Sequence, residues 1–159
     1  MPSRRLCLVA SSGGHLFELV SLSEAWQGRH SRYWVSFPTD DARTLLAEED
    51  VRWAHYPTNR NAKNLFKNLW LAWRVLRKDR PDFIISTGAG VAVPFLWVGR
   101  LMGIQTVFIE SLTRIHGLSL SGRLVYPAVN QFFVQWPELR QRYPRATYRG
   151  STLSGGDDR

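Results

Sequence analysis

The chain has 159 residues, which suits one domain or one half of a larger enzyme, and its 13% aromatic content argues against a largely disordered protein. A net charge of +8 favours an anionic partner, which could be nucleic acid, anionic lipid or a phosphorylated substrate. The single cysteine excludes an intrachain disulfide and fits a reducing cytoplasm, and the four scattered His offer no metal-site spacing.

The first predicted strand, residues 5–10, is a short apolar run that leads into a glycine turn. Ser12, Gly13 and Gly14 can bring bare N–H groups close to a phosphate or diphosphate, because a helix begins at the same point. His15 follows directly and could touch whatever those amides hold, or it could simply cap the helix. The apolar run is too short for a signal peptide or a membrane-spanning helix, so we expect any membrane contact to be peripheral.

Strand and helix patterns alternate through the rest of the chain. Further strands are predicted at residues 32–37, 52–56, 83–86, 105–109 and 130–135. Helices are predicted at residues 16–26, 40–49, 61–80, 91–102 and 122–126, and a terminal helix begins within residues 136–139. This alternation predicts a Rossmann-like α/β fold, in which helices flank a parallel sheet.

Two more strands end in residues that could face a ligand. The strand at 83–86 leads into Thr87, Gly88, Ala89 and Gly90 at the start of a helix, and the strand at 105–109 leads into Glu110. In a parallel sheet these positions share the carboxyl edge with the first glycine turn, so together they predict an anion site. Close packing of strand and helix is the alternative for the glycines. Glu110 could bond a sugar hydroxyl, orient His15 or cap a helix.

The helix predicted at residues 61–80 is strongly amphipathic. Its predicted apolar strip consists of Leu65, Leu69, Ala72 and Leu76, widened by Phe66, Trp70 and Trp73. Basic residues line the opposite side, namely Lys63, Lys67, Arg74 and Lys78. Such a helix could lie in the interface of an anionic membrane, with its rings at the headgroup boundary, or it could pack on the sheet as an ordinary amphipathic helix.

Four segments together resemble a known family. They are SSGGHLFEL at 11–19, STGAGVAVP at 86–94, IESLTRIHGLSLSGRLVYP at 109–127 and FFVQWPEL at 132–139. In this order they resemble the acceptor-binding, membrane-associated subunit of two-subunit polyprenyl-diphosphate-sugar glycosyltransferases. The family includes the eukaryotic subunit that acts in dolichol-linked N-acetylglucosamine transfer and bacterial subunits of exopolysaccharide or capsule synthesis. Because the chain shows no N-terminal membrane anchor, the bacterial type is expected.

The resemblance implies a fold equivalent to the N-terminal half of a GT-B glycosyltransferase. Residues 1–150 would form one Rossmann-like acceptor-binding domain and residues 151–159 a flexible tail. A separate small subunit would hold the UDP-sugar, so the chain alone would bind no cofactor and would be inactive. The heterodimer would work peripherally at the cytoplasmic face of the inner membrane.

The resemblance also implies roles for individual residues in an inverting sugar transfer. His15 would be the catalytic base. The substrate-binding residues would be Ser12, Gly13, Gly14, Thr87, Gly88, Ala89, Gly90, Glu110 and Arg114. The membrane contacts would be Leu65, Phe66, Leu69, Trp70, Trp73, Lys67 and Arg74. One alternative is a non-catalytic membrane adaptor that recruits the partner. A nucleic-acid binder is disfavoured because the basic residues are spread along the chain and no recognition motif is present.

Overall fold

The computed structural model describes residues 2–152, so most of the tail predicted at 151–159 lies outside the described residues. The strands are β1 (Arg5–Ala10), β2 (Ser31–Ser36), β3 (Val51–Trp53), β4 (Phe83–Gly88), β5 (Gln105–Ile109), β6 (Gln131–Val134) and β7 (Ala146–Tyr148). The helices are α1 (Gly14–Ser23), α2 (Asp40–Leu45), α3 (Ala62–Asp79), α4 (Ala92–Leu101), α5 (Leu120–Val125) and α6 (Leu139–Arg142), and a 3₁₀ turn at Glu24–Trp26 extends α1.

The strands form one seven-stranded sheet in the order β3-β2-β1-β4-β5-β6-β7, and every neighbouring pair is parallel. The predicted Rossmann-like fold class is therefore confirmed. The chain builds outward from β1 to β3 and then returns to the other side of β1 with β4. This reversal puts the topological switch point between β1 and β4, where ligands bind in such folds.

Hydrophobic clusters cover both faces of the sheet, as expected for buried parallel strands. Alternating residues of β1 point to opposite faces: Cys7 and Val9 join one cluster, whereas Leu6 and Leu8 join the other. The first cluster contains buried residues of α3, α4, α5 and α6, and the second contains residues of α1 and α2. The sheet is thus the middle of three layers.

The structure corrects several predicted boundaries. The helix predicted through residue 49 ends at Leu45, because Leu46 turns into the core and Glu49 forms an ion pair with Arg32. The strand β3 stops at Trp53, since the backbone N–H and C=O of His55 bond the side chain of Asn68 instead of the sheet. The three-residue strand β7 was not predicted, because it is too short to show an alternating pattern.

The terminal helix begins at Leu139, the last residue of the segment in which its start is predicted. The indole N–H of Trp136, three residues earlier, donates to the Leu112 carbonyl. No helix within residues 2–152 combines the length and the apolar character that crossing a bilayer requires.

Candidate functional site

The site is built on the two glycine turns that follow β1 and β4, the strands on either side of the switch point. Ser11 joins them: its N–H donates to the Gly88 carbonyl at 2.9 Å, and its hydroxyl accepts the Ala89 N–H at 3.0 Å. The Gly88 N–H donates to the Ser86 hydroxyl at 3.1 Å. Both turns are therefore fixed to each other before any ligand binds.

His15 lies across the second turn in a defined orientation. Its Nδ1 is 2.9 Å from the Thr87 carbonyl oxygen, and the Thr87 hydroxyl donates to the His15 carbonyl at 2.6 Å. A carbonyl oxygen can only accept, so Nδ1 carries the proton and Nε2 of the neutral ring has the free lone pair. Gly88 has φ +107°, and a Cβ there would lie 3.2 Å from Nδ1. The close approach of the ring thus requires glycine.

Several predicted anion-binding amides are already used. Besides Gly88 and Ala89, the N–H of Gly13 donates to the Asp41 carboxylate at 2.8 Å. These three amides are therefore already bonded to protein atoms, and their binding of a diphosphate stays a prediction. Thr87 is fully buried and positions His15 rather than facing a ligand. Within residues 2–152, the amides of the other predicted positions, Ser12, Gly14 and Gly90, make no hydrogen bond.

A cavity of about 700 Å³ opens beside His15 at the carboxyl edge of the sheet. Ala89 and Gly90 form part of its wall at the start of α4, and the predicted residue Arg114 lies in the wall contributed by the loop between β5 and α5. Apolar side chains also line it, namely Leu65, Val93, Leu120 and Leu124. The cavity thus combines a histidine and a cation with an apolar side, which suits an amphipathic ligand.

The sequence analysis missed the loop between β3 and α3, which supplies a further wall through Thr58, Asn59, Arg60 and Asn61. Thr58 packs against the second glycine turn so closely that a Cβ on Gly90 would lie 2.6 Å from its hydroxyl. The sequence does contain a signal for this wall. In a parallel sheet every strand-to-helix loop reaches the carboxyl edge, and this loop contains the polar segment TNRN.

A second cavity, of about 410 Å³, also borders His15. Residues that line it include Gly14, Phe17, Glu18, Ser21, Leu112 and Thr152. Three residues line both cavities: His15, Ser111 and Thr113. The imidazole therefore stands at the boundary between two separate ligand-sized spaces.

Glu110 lies outside both cavity walls and does not contact His15 within the described chain. It is 1% exposed, and its carboxylate accepts the N–H of Ser111, the N–H of Ser119 and the hydroxyl of Ser119 at 2.9–3.0 Å. Of the three predicted roles, the structure supports the capping one. Glu110 holds both ends of the loop that carries Arg114.

The outer face of α3 exposes large apolar side chains. Phe66 is 70% exposed and Trp70 62%, and Trp70 stacks on Trp73 with ring centroids 5.0 Å apart. The predicted apolar strip is only partly correct, because Leu65 is exposed and Leu69 half-buried. The buried strip is instead Asn68, Ala72, Val75, Leu76 and Asp79. Lys67 and Arg74 are exposed on the same helix, and the Arg77 guanidinium lies over the Trp73 ring, 5.1 Å from its centroid.

A parallel sheet with its cavities beyond the switch point defines a Rossmann-like domain of the kind that forms half of a GT-B enzyme. The chain is similar to MurG of Acinetobacter baumannii, with a TM-score of 0.73 and 18% identity over 86% of this chain and 42% of MurG. It is also similar to UDP-N-acetylglucosamine 2-epimerase of Rickettsia bellii, with a TM-score of 0.76 and 12% identity over 96% of this chain and 46% of the epimerase. These likenesses show the fold alone, and the chain spans less than half of either protein.

The chain belongs to the family described as "Oligosaccharide biosynthesis protein Alg14 like", whose family model matches residues 51–152. It is 31% identical to UDP-N-acetylglucosamine transferase subunit ALG14 of Candida albicans, over 92% of this chain and 77% of that protein. It is 29% identical to the human protein of that name, over 93% of this chain and 82% of the relative. The resemblance to a family of glycosyltransferase subunits is therefore confirmed, whereas the bacterial exopolysaccharide type stays a prediction.

Proposed function

We propose that this chain is the acceptor-binding subunit of a split inverting glycosyltransferase, which transfers a sugar from a UDP-sugar to a polyprenyl-diphosphate-linked sugar. The observation that carries the proposal is the placement of His15. Its Nδ1–H is committed to the Thr87 carbonyl, and the ring borders both cavities. A general base in such a transferase must reach the acceptor hydroxyl at the point where the donor sugar also arrives, and the position of His15 between the two cavities supports that role.

In the proposed step, Nε2 of His15 takes the proton of the acceptor hydroxyl as its oxygen attacks the anomeric carbon of the donor. The new glycosidic C–O bond forms while the bond between the anomeric carbon and UDP breaks, and UDP leaves with the electron pair. The Thr87 carbonyl, which already accepts the Nδ1–H, then stabilises the imidazolium. The acceptor would occupy the larger cavity, and the donor sugar would reach His15 from the smaller one.

The donor would be held mainly by a partner subunit. The relatives are named as subunits of a UDP-N-acetylglucosamine transferase, which supports both a partner and UDP-N-acetylglucosamine as the first donor to test. The smaller cavity supports this division of labour, since its lining within residues 2–152 contains no Lys or Arg that could hold a nucleotide's phosphates. The complex would be a heterodimer of this chain and a small UDP-sugar-binding protein.

We also propose a peripheral position at the cytoplasmic face of the inner membrane, in bacterial exopolysaccharide or capsule synthesis. Exposed Phe66, Trp70 and Trp73, with Lys67 and Arg74 nearby, are suited to the interface of an anionic bilayer. The same exposed face supports the alternative function, a non-catalytic adaptor that recruits the UDP-sugar-binding partner to the membrane.

The test is sugar transfer from a panel of UDP-sugars to a synthetic polyprenyl-diphosphate sugar, with this chain, its partner and the two together. We expect product only from the pair, and we expect His15→Ala to lower turnover by about 100-fold or more while partner binding persists. The matched control is His55→Ala, whose exposed side chain makes no hydrogen bond within residues 2–152. Near-normal turnover of His15→Ala, with activity lost only when Trp70 and Trp73 are removed, would establish the adaptor instead.

A further inference from the structure

We infer that Arg60, in the loop between β3 and α3, binds the diphosphate of the acceptor from the side of the cavity opposite the loop that carries Arg114. The identity of the ligand rests on the proposed function. The choice of Arg60 rests on the charges and contacts of the cavity. Arg60 lies in the segment TNRN, which contributes four lining residues.

The larger cavity has an unbalanced charge. Among its lining residues within the described chain, Arg60 and Arg114 are the two cations, and there is no Asp or Glu. Neither guanidinium forms a hydrogen bond or ion pair within residues 2–152, whereas those of Arg5, Arg32 and Arg52 each pair with a carboxylate. Two uncompensated guanidinium groups around one cavity favour a ligand with at least two negative charges.

The loop holds Arg60 in a fixed place. The side-chain N–H of Asn64 donates to the Pro57 carbonyl at 2.7 Å, and the Asn61 side chain accepts the Asn64 backbone N–H at 3.0 Å. Thr58, two residues before Arg60, packs against Gly90. These contacts tie the loop to α3 on one side and to the second glycine turn on the other, so that the backbone of Arg60 is anchored at the wall of the cavity.

The backbone of Arg60 adopts a conformation that arginine does not favour. Its φ is +50°, in the left-handed region where glycine and asparagine are the unstrained choices. An arginine there costs backbone energy that a glycine would avoid. Its guanidinium makes no hydrogen bond or ion pair within the described chain, so it is available to a ligand in the cavity that it lines.

The amides of the glycine turns do not by themselves account for diphosphate binding. The N–H groups of Gly13, Gly88 and Ala89 bond protein atoms, so the turns offer a diphosphate fewer donors than their sequence indicates. A guanidinium supplies paired donors to phosphate oxygens together with a full positive charge. Arg60 and Arg114 would therefore supply most of the electrostatic attraction, while the turns position His15.

The experiment compares Arg60→Gly with Arg80→Gly in the full chain. Arg80 is a matched control, because it has φ +43° at the end of α3 and lies outside both cavities. Binding of inorganic diphosphate is measured by calorimetry, and binding to vesicles with and without anionic lipid by sedimentation. We expect Arg60→Gly to weaken diphosphate binding by about tenfold or more and Arg80→Gly to leave it unchanged. Both variants should melt at or above the wild-type temperature, because glycine relieves the strained backbone.

The outcomes separate this inference from the proposed function. Unchanged diphosphate binding by Arg60→Gly would overturn the inference. A variant that loses only its binding to anionic vesicles would overturn it too, because Arg60 would then contact lipid headgroups. If Arg60→Gly loses diphosphate binding while the wild-type pair forms no product with any UDP-sugar, the anion site stands and the proposed function fails. If the pair is active and only His15→Ala impairs it, the function stands and Arg60 has no part in acceptor binding.

Discussion

Replacing Glu110 by Gln should loosen the loop that carries Arg114. The Glu110 carboxylate accepts three hydrogen bonds, one from Ser111 and two from Ser119, and the Ser119 hydroxyl in turn accepts the N–H of Gly122 at the start of α5. A glutamine has one acceptor oxygen and an NH₂ group that cannot accept. In either orientation of the amide, at least one backbone N–H therefore loses its acceptor and faces another donor.

The magnitude follows from the type of bond that is lost. A hydrogen bond to a charged group contributes about 1.5–3 kcal/mol, so we expect Glu110→Gln to lower the free energy of unfolding by about 2–3 kcal/mol. For a domain of this size that corresponds to a decrease of about 5–10 °C in melting temperature. The variant should also raise KM for the acceptor more than it lowers kcat, because Arg114 loses its fixed position while His15 keeps its own.

Thermal unfolding and hydrogen exchange across residues 111–119 measure the effect. Glu138→Gln is the matched control, because Glu138 is exposed and its side chain makes no hydrogen bond within the described chain. We expect faster exchange in the loop for Glu110→Gln only. A variant that melts like the wild type yet loses turnover would refute the reasoning, since the carboxylate would then act on the substrate.

Two further predictions concern the core and the surface. Burial raises the pKa of the Cys7 thiol to about 12, so a thiol reagent at pH 8 should label Cys7 only after unfolding; rapid labelling of the folded chain would contradict its placement. Replacing Trp70 and Trp73 by Ser should weaken binding to anionic vesicles by about tenfold or more and lower the melting temperature only modestly, because Trp70 is 62% exposed and Trp73 38%. Leu45→Ser, an exposed change on α2, should leave vesicle binding intact, and an equal loss there would argue against a specific membrane face.

The fold could be predicted from the sequence because its signals are local. The strand at Arg5–Ala10 matches its predicted bounds, and α3 begins and ends within one residue of its prediction. The boundaries that failed depend on distant contacts. The sheet pairing of β3 ends because Asn68, on a later helix, bonds both backbone groups of His55, and no pattern within residues 51–56 encodes that.

The site was predicted less completely, for a related reason. The sequence identified the two glycine turns and His15, but it could not show whether an amide is free. Asp41, more than twenty residues away along the chain, takes the N–H of Gly13, and Ser11 takes that of Ala89. The buried strip of α3 was similarly misjudged at Leu65, which is exposed, because an apolar residue at helical spacing can face either the core or solvent.

The arrangement separates the positioning of the base from the recognition of the acceptor. The turns after β1 and β4 bond each other and His15 through partly buried hydrogen bonds, so few substitutions there are compatible with the ring's orientation. The cations lie instead on two loops that are anchored at their ends, and their exposed side chains bond no other part of the described chain. Acceptor preference can therefore change through Arg60 and Arg114 without moving His15. This independence predicts that substitutions in the two loops alter KM for the acceptor, whereas substitutions in the turns alter kcat.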